Sequence, residues 1–205
     1  MDIVAVIDFE TTGLSPAQGD RATEIAAVII EDGQVVDRYQ SLMNAGVRIP
    51  SFIESLTGIS NAMIRSVPPA AQVMREVAEF VGDIPLVAHN ASFDSKFWDA
   101  ELAHIKQRRR QEFACSLLLA RRILPLAPSH KLGDLVRFAN LPAGGRAHRA
   151  LADAEMAASL LHHLEEQLCS RFQVKQVSHE LLRRIQSVPK AKLEQCLQQY
   201  QNNQQ

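Results

Sequence analysis

The chain has 205 residues, 46% of them hydrophobic, with 22 Lys/Arg against 23 Asp/Glu and a net charge of −1. That length suits one domain with an appendage and a sizeable core; no run of about 18 uncharged apolar residues offers a membrane-spanning helix, and no basic-then-apolar leader opens the chain. Three scattered cysteines, Cys115, Cys169 and Cys196, fit neither a disulfide framework nor a metal motif and imply reduced thiols in a cytoplasmic protein. Charge is unevenly spread. Residues 1–103 hold six Lys/Arg against fifteen Asp/Glu, whereas residues 104–149 hold ten against two. A basic band following an acidic half suits a polyanion, the alternative being a solvated helix face.

In chain order, Ile3 to Ile7 is an apolar run of the kind found in a strand buried on both faces. It runs into Asp8-Phe9-Glu10-Thr11-Thr12-Gly13-Leu14. Alternate strand side chains share a face, so Asp8 and Glu10 lie together at the strand's end. Two adjacent carboxylates raise each other's pKa unless a cation sits between them, and hard oxygen ligands suit Mg²⁺ or Mn²⁺. Ordinary turn or capping residues are the alternative reading. Gly13 would let the backbone approach a ligand. Residues 22–30 and 34–43 read as two further strands joined by an Asp32-Gly33 hairpin, giving an antiparallel meander. Glu24 either faces the same edge or pairs with Arg21 or Arg65.

Short helices are expected at 51–56 and 60–65, and a longer one at 70–81 after Pro68-Pro69. A short strand spans 84–89. A helix capped by Ser92 runs to about residue 107, with Asp94 in its first turn, where an acid also serves the helix dipole. A fifth strand at 113–116 precedes helices at 117–124 and 131–139. Residues 142–147 read as a flexible turn, followed by a helix from 150 to 168. His148 and Asp153 are five residues apart and diverge if both are helical; they converge only if His148 lies in the loop before the helix. Strands first, then helices alternating with short strands, predict an α/β fold with a mixed sheet and helices on both faces. Composition changes at 170, so the expected division is 1–169 and a helical C-terminal extension at 170–205. The extension carries apolar stripes at Leu181-Leu182-Ile185 and Leu193-Leu197-Tyr200. They are expected to pack on the body, a second copy or another protein, with the last five residues disordered.

Three motifs in order, Asp8-x-Glu10-Thr11-Thr12-Gly13-Leu14, then His89-Asn90-Ala91-x-Phe93-Asp94, then His148-x-x-x-x-Asp153, resemble the DEDD exonuclease superfamily in its histidine branch. That branch includes the epsilon proofreading subunit of bacterial DNA polymerase III, ribonuclease T and oligoribonuclease. The resemblance covers about residues 1–168. It implies a ribonuclease-H-like, five-stranded mixed sheet flanked by helices, and 3′→5′ removal of nucleotides from single-stranded 3′ ends, with DNA favoured over RNA. It further implies two divalent cations, Mg²⁺ or Mn²⁺. One would be held by Asp8, Glu10 and Asp153, and the second by Asp8 with Asp94. Such a pair clamps the attacking and leaving oxygens of an in-line displacement. His148 would be the general base, a task suited to a side chain that titrates near neutrality. Leu14, Leu56 and Phe93 would line the terminal bases, and the backbone at Thr11-Thr12 would meet the terminal ribose. Leu56-Thr57-Gly58-Ile59 resembles the family's substrate loop, although Thr57 stands where the family often has histidine. A homodimer or a polymerase partner would use the C-terminal helices.

Two rival readings compete. A haloacid-dehalogenase-type phosphatase also has acids two apart after a first strand, but it needs a later Gly-Asp-x-x-x-Asp. Gly133-Asp134 is followed by Phe138 instead. The other is a catalytically silent, nuclease-like assembly subunit, which the loss of a ligand would favour; all five residues are present.

Overall fold

The computed structural model describes residues 2–142 and 148–202. Strand β1 (Val4–Thr11) is the middle of one five-stranded sheet. It pairs antiparallel with β2 (Ala22–Glu31), which pairs antiparallel with β3 (Gln34–Leu42). On its other side β1 pairs parallel with β4 (Leu86–Ala88), and β4 parallel with β5 (Phe113–Cys115). The order is β3-β2-β1-β4-β5. The meander turns at Asp32 (φ 50°) and Gly33 (φ 76°), both left-handed, as a tight hairpin of matching twist requires.

Helices cover both faces. They are α1 (Ser51–Thr57), α2 (Asn61–Ile64), α3 (Ala70–Val81), α4 (Ala91–His104), α5 (Ser116–Ile123), α6 (Leu132–Phe138), α7 (Ala150–Phe172), α8 (His179–Ser187) and α9 (Leu193–Asn202). The strand period of two sorts the core. Ala5, Ile7 and Phe9 pack with α3 and α4, while Val4 and Val6 pack with α5 and α7. On β2, Ala26 and Val28 join the α7 layer. Asp8, Glu10 and Glu24 therefore continue, by the same parity, the sheet face that α7 covers. This is how sequence spacing places three acids against the start of one helix.

The compositional change at residue 170 meets no break in packing. Val174, Val177, Leu181, Leu182, Ile185, Leu193, Leu197 and Tyr200 are buried in the same cluster as Val4, Val28, Leu119 and Leu164. The amide of Gln186 accepts from Cys115 N (2.6 Å) and donates to Phe113 O (3.2 Å), so α8 caps the outer edge of β5. The apolar stripes are buried inside this chain, which is the first of the three placements expected for them.

Two local expectations also change. The residue capping α4 is Asn90, at φ 68°, not Ser92, whose hydroxyl donates to Asn90 Oδ1 (3.3 Å). Asparagine tolerates the left-handed backbone that this sharp strand-to-helix turn needs. Gln201 and Asn202 are helical rather than disordered, because Tyr200 anchors the last turn through its hydroxyl to Ser178 Oγ (2.6 Å). Most of the expected turn at 142–147, and the last three residues of the chain, lie outside the described residues.

Candidate active site

The C-terminal end of β1 delivers Asp8 and Glu10. The first turn of α4 delivers Asp94, and the first turn of α7 delivers Asp153. Asp94 is only 2% exposed, and its carboxylate accepts the Phe9 N–H (3.3 Å), which locks α4 to the strand. Burial raises Asp8 well above the carboxylate range, and the charges of Asp94, Asp153, Glu10 and Glu24 add to it. Burial pushes Glu10 up to about 8, with Asp153 and Glu24 adding and Arg149 opposing. Asp94 is pushed to about 8 by burial, against the Phe9 N–H and its own backbone N–H. Asp153 is raised by burial, against the N–H of His148. Four crowded carboxylates thus resist ionisation together.

His148 stands outside the helix at φ 61° and donates its backbone N–H to Asp153 Oδ2 (3.1 Å). This is the loop placement that convergence required. Side-chain donor atoms of Glu10, His148 and Asp153 lie within 4.8 Å of one another. Neither Asp8 nor Glu10 makes a side-chain hydrogen bond among the described residues. Carboxylate oxygens that are crowded and, at Asp8 and Glu10, without a hydrogen-bond partner match a hard divalent cation, so the residues fit the ions the resemblance implies. Glu10 and Asp153 with Asp8 would hold one, and Asp8 with Asp94 the other.

Glu24 pairs neither with Arg21 nor with Arg65. Its carboxylate is fully buried and takes Arg149 Nε (3.0 Å) and NH2 (2.8 Å), Gln40 Nε2 (2.7 Å) and Ala150 N (3.1 Å). Burial alone would raise Glu24, but the bonds from Arg149, Gln40 and Ala150 overrule it and hold it below its usual value. Glu24 faces Glu10 in the β1–β2 register, yet it anchors the start of α7 rather than facing a cation. Arg21 is taken by buried Glu101, through Nε and NH2 at 2.8 Å each. No spacing signals either pair; each depends on how a helix, α7 or α4, packs on the sheet.

A cleft of about 910 Å³ opens from Asp8, His148 and Asp153 toward α5 and α6, with Arg121, Lys131 and Arg137 on its far wall. His89 lies at its floor. His89 Nε2 sits 3.1 Å from His130 O, which can only accept, so Nε2 carries the proton and Nδ1 accepts from Ser116 Oγ (2.9 Å). Burial lowers His89 to about 4, so it stays neutral at physiological pH. The basic band is split by β5. Arg121, Lys131, Arg137 and Arg149 follow it and reach the acidic end. Lys106, Arg108, Arg109 and Arg110 precede it and line a separate hollow with Gly82 and Asp83, at the opposite end of the sheet.

The expected substrate residues divide. Leu14 (80% exposed) and Leu56 (48%) remain on the surface, and Phe93 is half-buried against Phe97, with ring centroids 4.9 Å apart. Thr57 is turned inward, 1% exposed; its hydroxyl donates to Ile53 O (3.0 Å) and accepts from Ile59 N (3.0 Å). The end of α1 needs that hydroxyl to satisfy its own backbone, so the Thr57 side chain is not offered to a ligand. Thr12 has both its N–H (2.9 Å) and its hydroxyl (3.0 Å) committed to Arg21, and the Thr11 hydroxyl is spent on Gly13 O (2.6 Å). A Cβ at Gly13 would lie 2.4 Å from the Asp20 carboxyl, so the loop packs directly on this glycine.

The sequence pattern of the RNase T exonuclease family matches residues 5–161. The chain belongs to the DEDD exonuclease family. Its fold is the family's ribonuclease-H-like sheet. Among curated relatives, the 3′-5′ exonuclease DinG of Bacillus subtilis is 38% identical over 164 residues, 80% of this chain; the chain spans only 18% of that protein's length. The DNA polymerase III subunit epsilon of Aquifex aeolicus is 33% identical over 171 residues, which is 82% of each protein. Among solved structures, Exonuclease X in complex with 5′ overhanging duplex DNA superimposes with a TM-score of 0.72 at 27% identity, covering 90% of this chain and 99% of that one. The family match stops before α8 and α9. No described helix is long and apolar enough to cross a membrane.

Proposed function

We propose that the chain is a 3′→5′ exonuclease that removes nucleotides from single-stranded DNA 3′ ends, using two divalent cations and His148 as general base. The observation that carries the reading is the convergence of Asp8, Glu10, Asp94 and Asp153 with His148, from three separate elements, on one strand end. When bound, the cations would neutralise the four acids and polarise the scissile phosphate. The chain's own part is positional. Asp94 is fixed by Phe9 N–H, and Asp153 by the backbone of His148. Glu24 and Arg149 hold the start of α7, so the imidazole next to them stays aimed at the acids. From there it takes the proton of the attacking water while the phosphodiester bond to the terminal nucleotide breaks. Leu14, Leu56 and Phe93 would grip an unstacked terminal base through apolar contact that reads no sequence.

The test is digestion of 3′- and 5′-labelled oligonucleotides, DNA and RNA, single-stranded and with a recessed 3′ end, in Mg²⁺ or Mn²⁺ against EDTA. Mononucleotides should leave the 3′ end first. Release of the 5′ label as the first product, or undiminished activity in EDTA, would overturn the proposal. Likeness over 82% of both chains to the epsilon subunit also favours association with a DNA polymerase, by a surface other than the buried stripes of α8 and α9. Co-elution with the replicative polymerase of the same cell would support that reading, and separate elution would remove it. A silent assembly role is disfavoured by the complete ligand set.

A further inference from the structure

The cleft beside the acids does not contain Leu14, Leu56 or Phe93, the residues placed at the terminal nucleotide. It leads away from Asp8 and Asp153 in another direction, along α5 and α6. A second hollow of about 410 Å³, reaching Ser92, Ser95 and Gln186, adjoins it and shares Asn90, Leu117 and Arg121 with it. Together they make one trough that starts at the acids, with Arg121 on the ridge between its halves. Arg121 is exposed and makes no hydrogen bond or ion pair among the described residues, and the same holds for the Lys131 ammonium. Arg137, by contrast, is satisfied by Asp134. The loop that carries Lys131 is tethered: His89 holds the carbonyl of His130, and the His130 ring bonds Leu124 O (3.2 Å). Two cations that make no hydrogen bond, Lys131 with Asp134 as its nearby acid, stand on an anchored wall facing a cluster of acids and form a track for something that is anionic at intervals.

The geometry points to this trough as the path of the retained strand, with Lys131 and Arg121 binding successive phosphates on the 5′ side of the scissile bond. The inference rests on the exonuclease reading, because that reading puts the leaving nucleotide on the other side of the acids. It adds that the enzyme measures strand length. A substrate with several phosphates gains contacts that a mononucleotide ester lacks.

The experiment compares the wild type, the double variant Arg121→Gln/Lys131→Gln, and Arg110→Gln at the far end of the sheet as a charge control. Affinity for fluorescent octathymidylate is read by anisotropy in Ca²⁺ at several salt concentrations. kcat/KM is read in Mg²⁺ on octathymidylate and on the p-nitrophenyl ester of thymidine 5′-phosphate. The double variant should bind the octamer roughly tenfold more weakly, with a log–log salt slope shallower by about 1.4, two phosphates at about 0.7 each. Its ratio of octamer to ester kcat/KM should fall by a similar factor. Unchanged affinity and slope would overturn the trough, as would an equal loss in Arg110→Gln or an equal fall on both substrates. A wild type that binds the octamer but cleaves neither substrate refutes the exonuclease reading, and the anisotropy arm still decides the trough.

Discussion

Glu10 and Glu24 are directly opposed in the β1–β2 register, yet the structure gives them opposite thermodynamic signs. Glu24 is fully buried and its folded pKa is lowered. It therefore contributes stability that is present above its unfolded pKa and is lost as pH falls through the folded value. Glu24→Gln leaves the Arg149 guanidinium without its anion. Breaking a buried pair costs about 3–5 kcal/mol, and one-third exposure of Arg149 argues for the lower figure. About 3 kcal/mol in a chain of this size corresponds to a fall in Tm of roughly 6–12 °C at pH 7. Glu10 is raised from 4.5 to about 8. The folded state then holds the extra proton, and stability falls as pH rises from about 4.5 toward 8. A wholly buried group so shifted would cost about 3 kcal/mol at pH 7; Glu10 is partly screened by water, leaving roughly 1 kcal/mol. Glu10→Gln should thus raise the metal-free Tm by about 2–4 °C, more toward pH 8, while abolishing turnover. Excess Mg²⁺ should stabilise the wild type more than this variant, because a bound cation removes the same repulsion. Differential scanning calorimetry in EDTA and in Mg²⁺ at pH 5 to 8.5 reads all three. The electrostatic assignment is refuted if Glu24→Gln is as stable as the wild type, or if both variants lose equal stability in EDTA.

Asp8→Ala should remain folded and lose nearly all turnover, since Asp8 serves both expected cations; full activity in a labelled-oligonucleotide assay would sink the two-cation assignment. His148→Ala should keep cation and DNA binding and lower kcat by roughly 10²–10⁴-fold, the usual worth of general base catalysis, and an unchanged single-turnover rate would remove that role.

Asp8 and Glu10 were legible because a strand has period two, whereas Asp94 and Asp153 were legible only through the order and spacing of the three motifs, the expected α4 cap Ser92 giving way to Asn90. The position of His148 was legible only as a condition, that it precede the helix, and its φ of 61° meets it. The Glu24–Arg149 pair was not legible: its partners are 125 residues apart and meet only through the packing of α7 on the sheet. The basic band misled in part, because residues on either side of a parallel strand exit at opposite ends of the sheet. Thr57 misled because a motif match cannot show that a hydroxyl is already consumed by its own helix end.

The extension poses the sharpest question about cooperativity. Composition sets residues 170–205 apart, whereas packing joins them to the body. The eight buried apolar side chains of the segment join the cluster formed by the body's own strands and helices, so both parts line one core. The hydrogen bonds agree, for the His179 ring bonds Leu86 O of β4 (2.9 Å) and Arg122 Nε bonds Val188 O (2.7 Å). Leu182→Ala, at a fully buried site, should cost about 2–5 kcal/mol. If the core is shared, calorimetry will show a single transition that moves down as a whole, by roughly 4–20 °C, and nuclease activity will be lost at the same temperature. An independent extension would instead give two transitions, with only the lower one moved and activity surviving it. That second pattern would establish residue 170 as a domain boundary and dissociate α8 from the edge it caps.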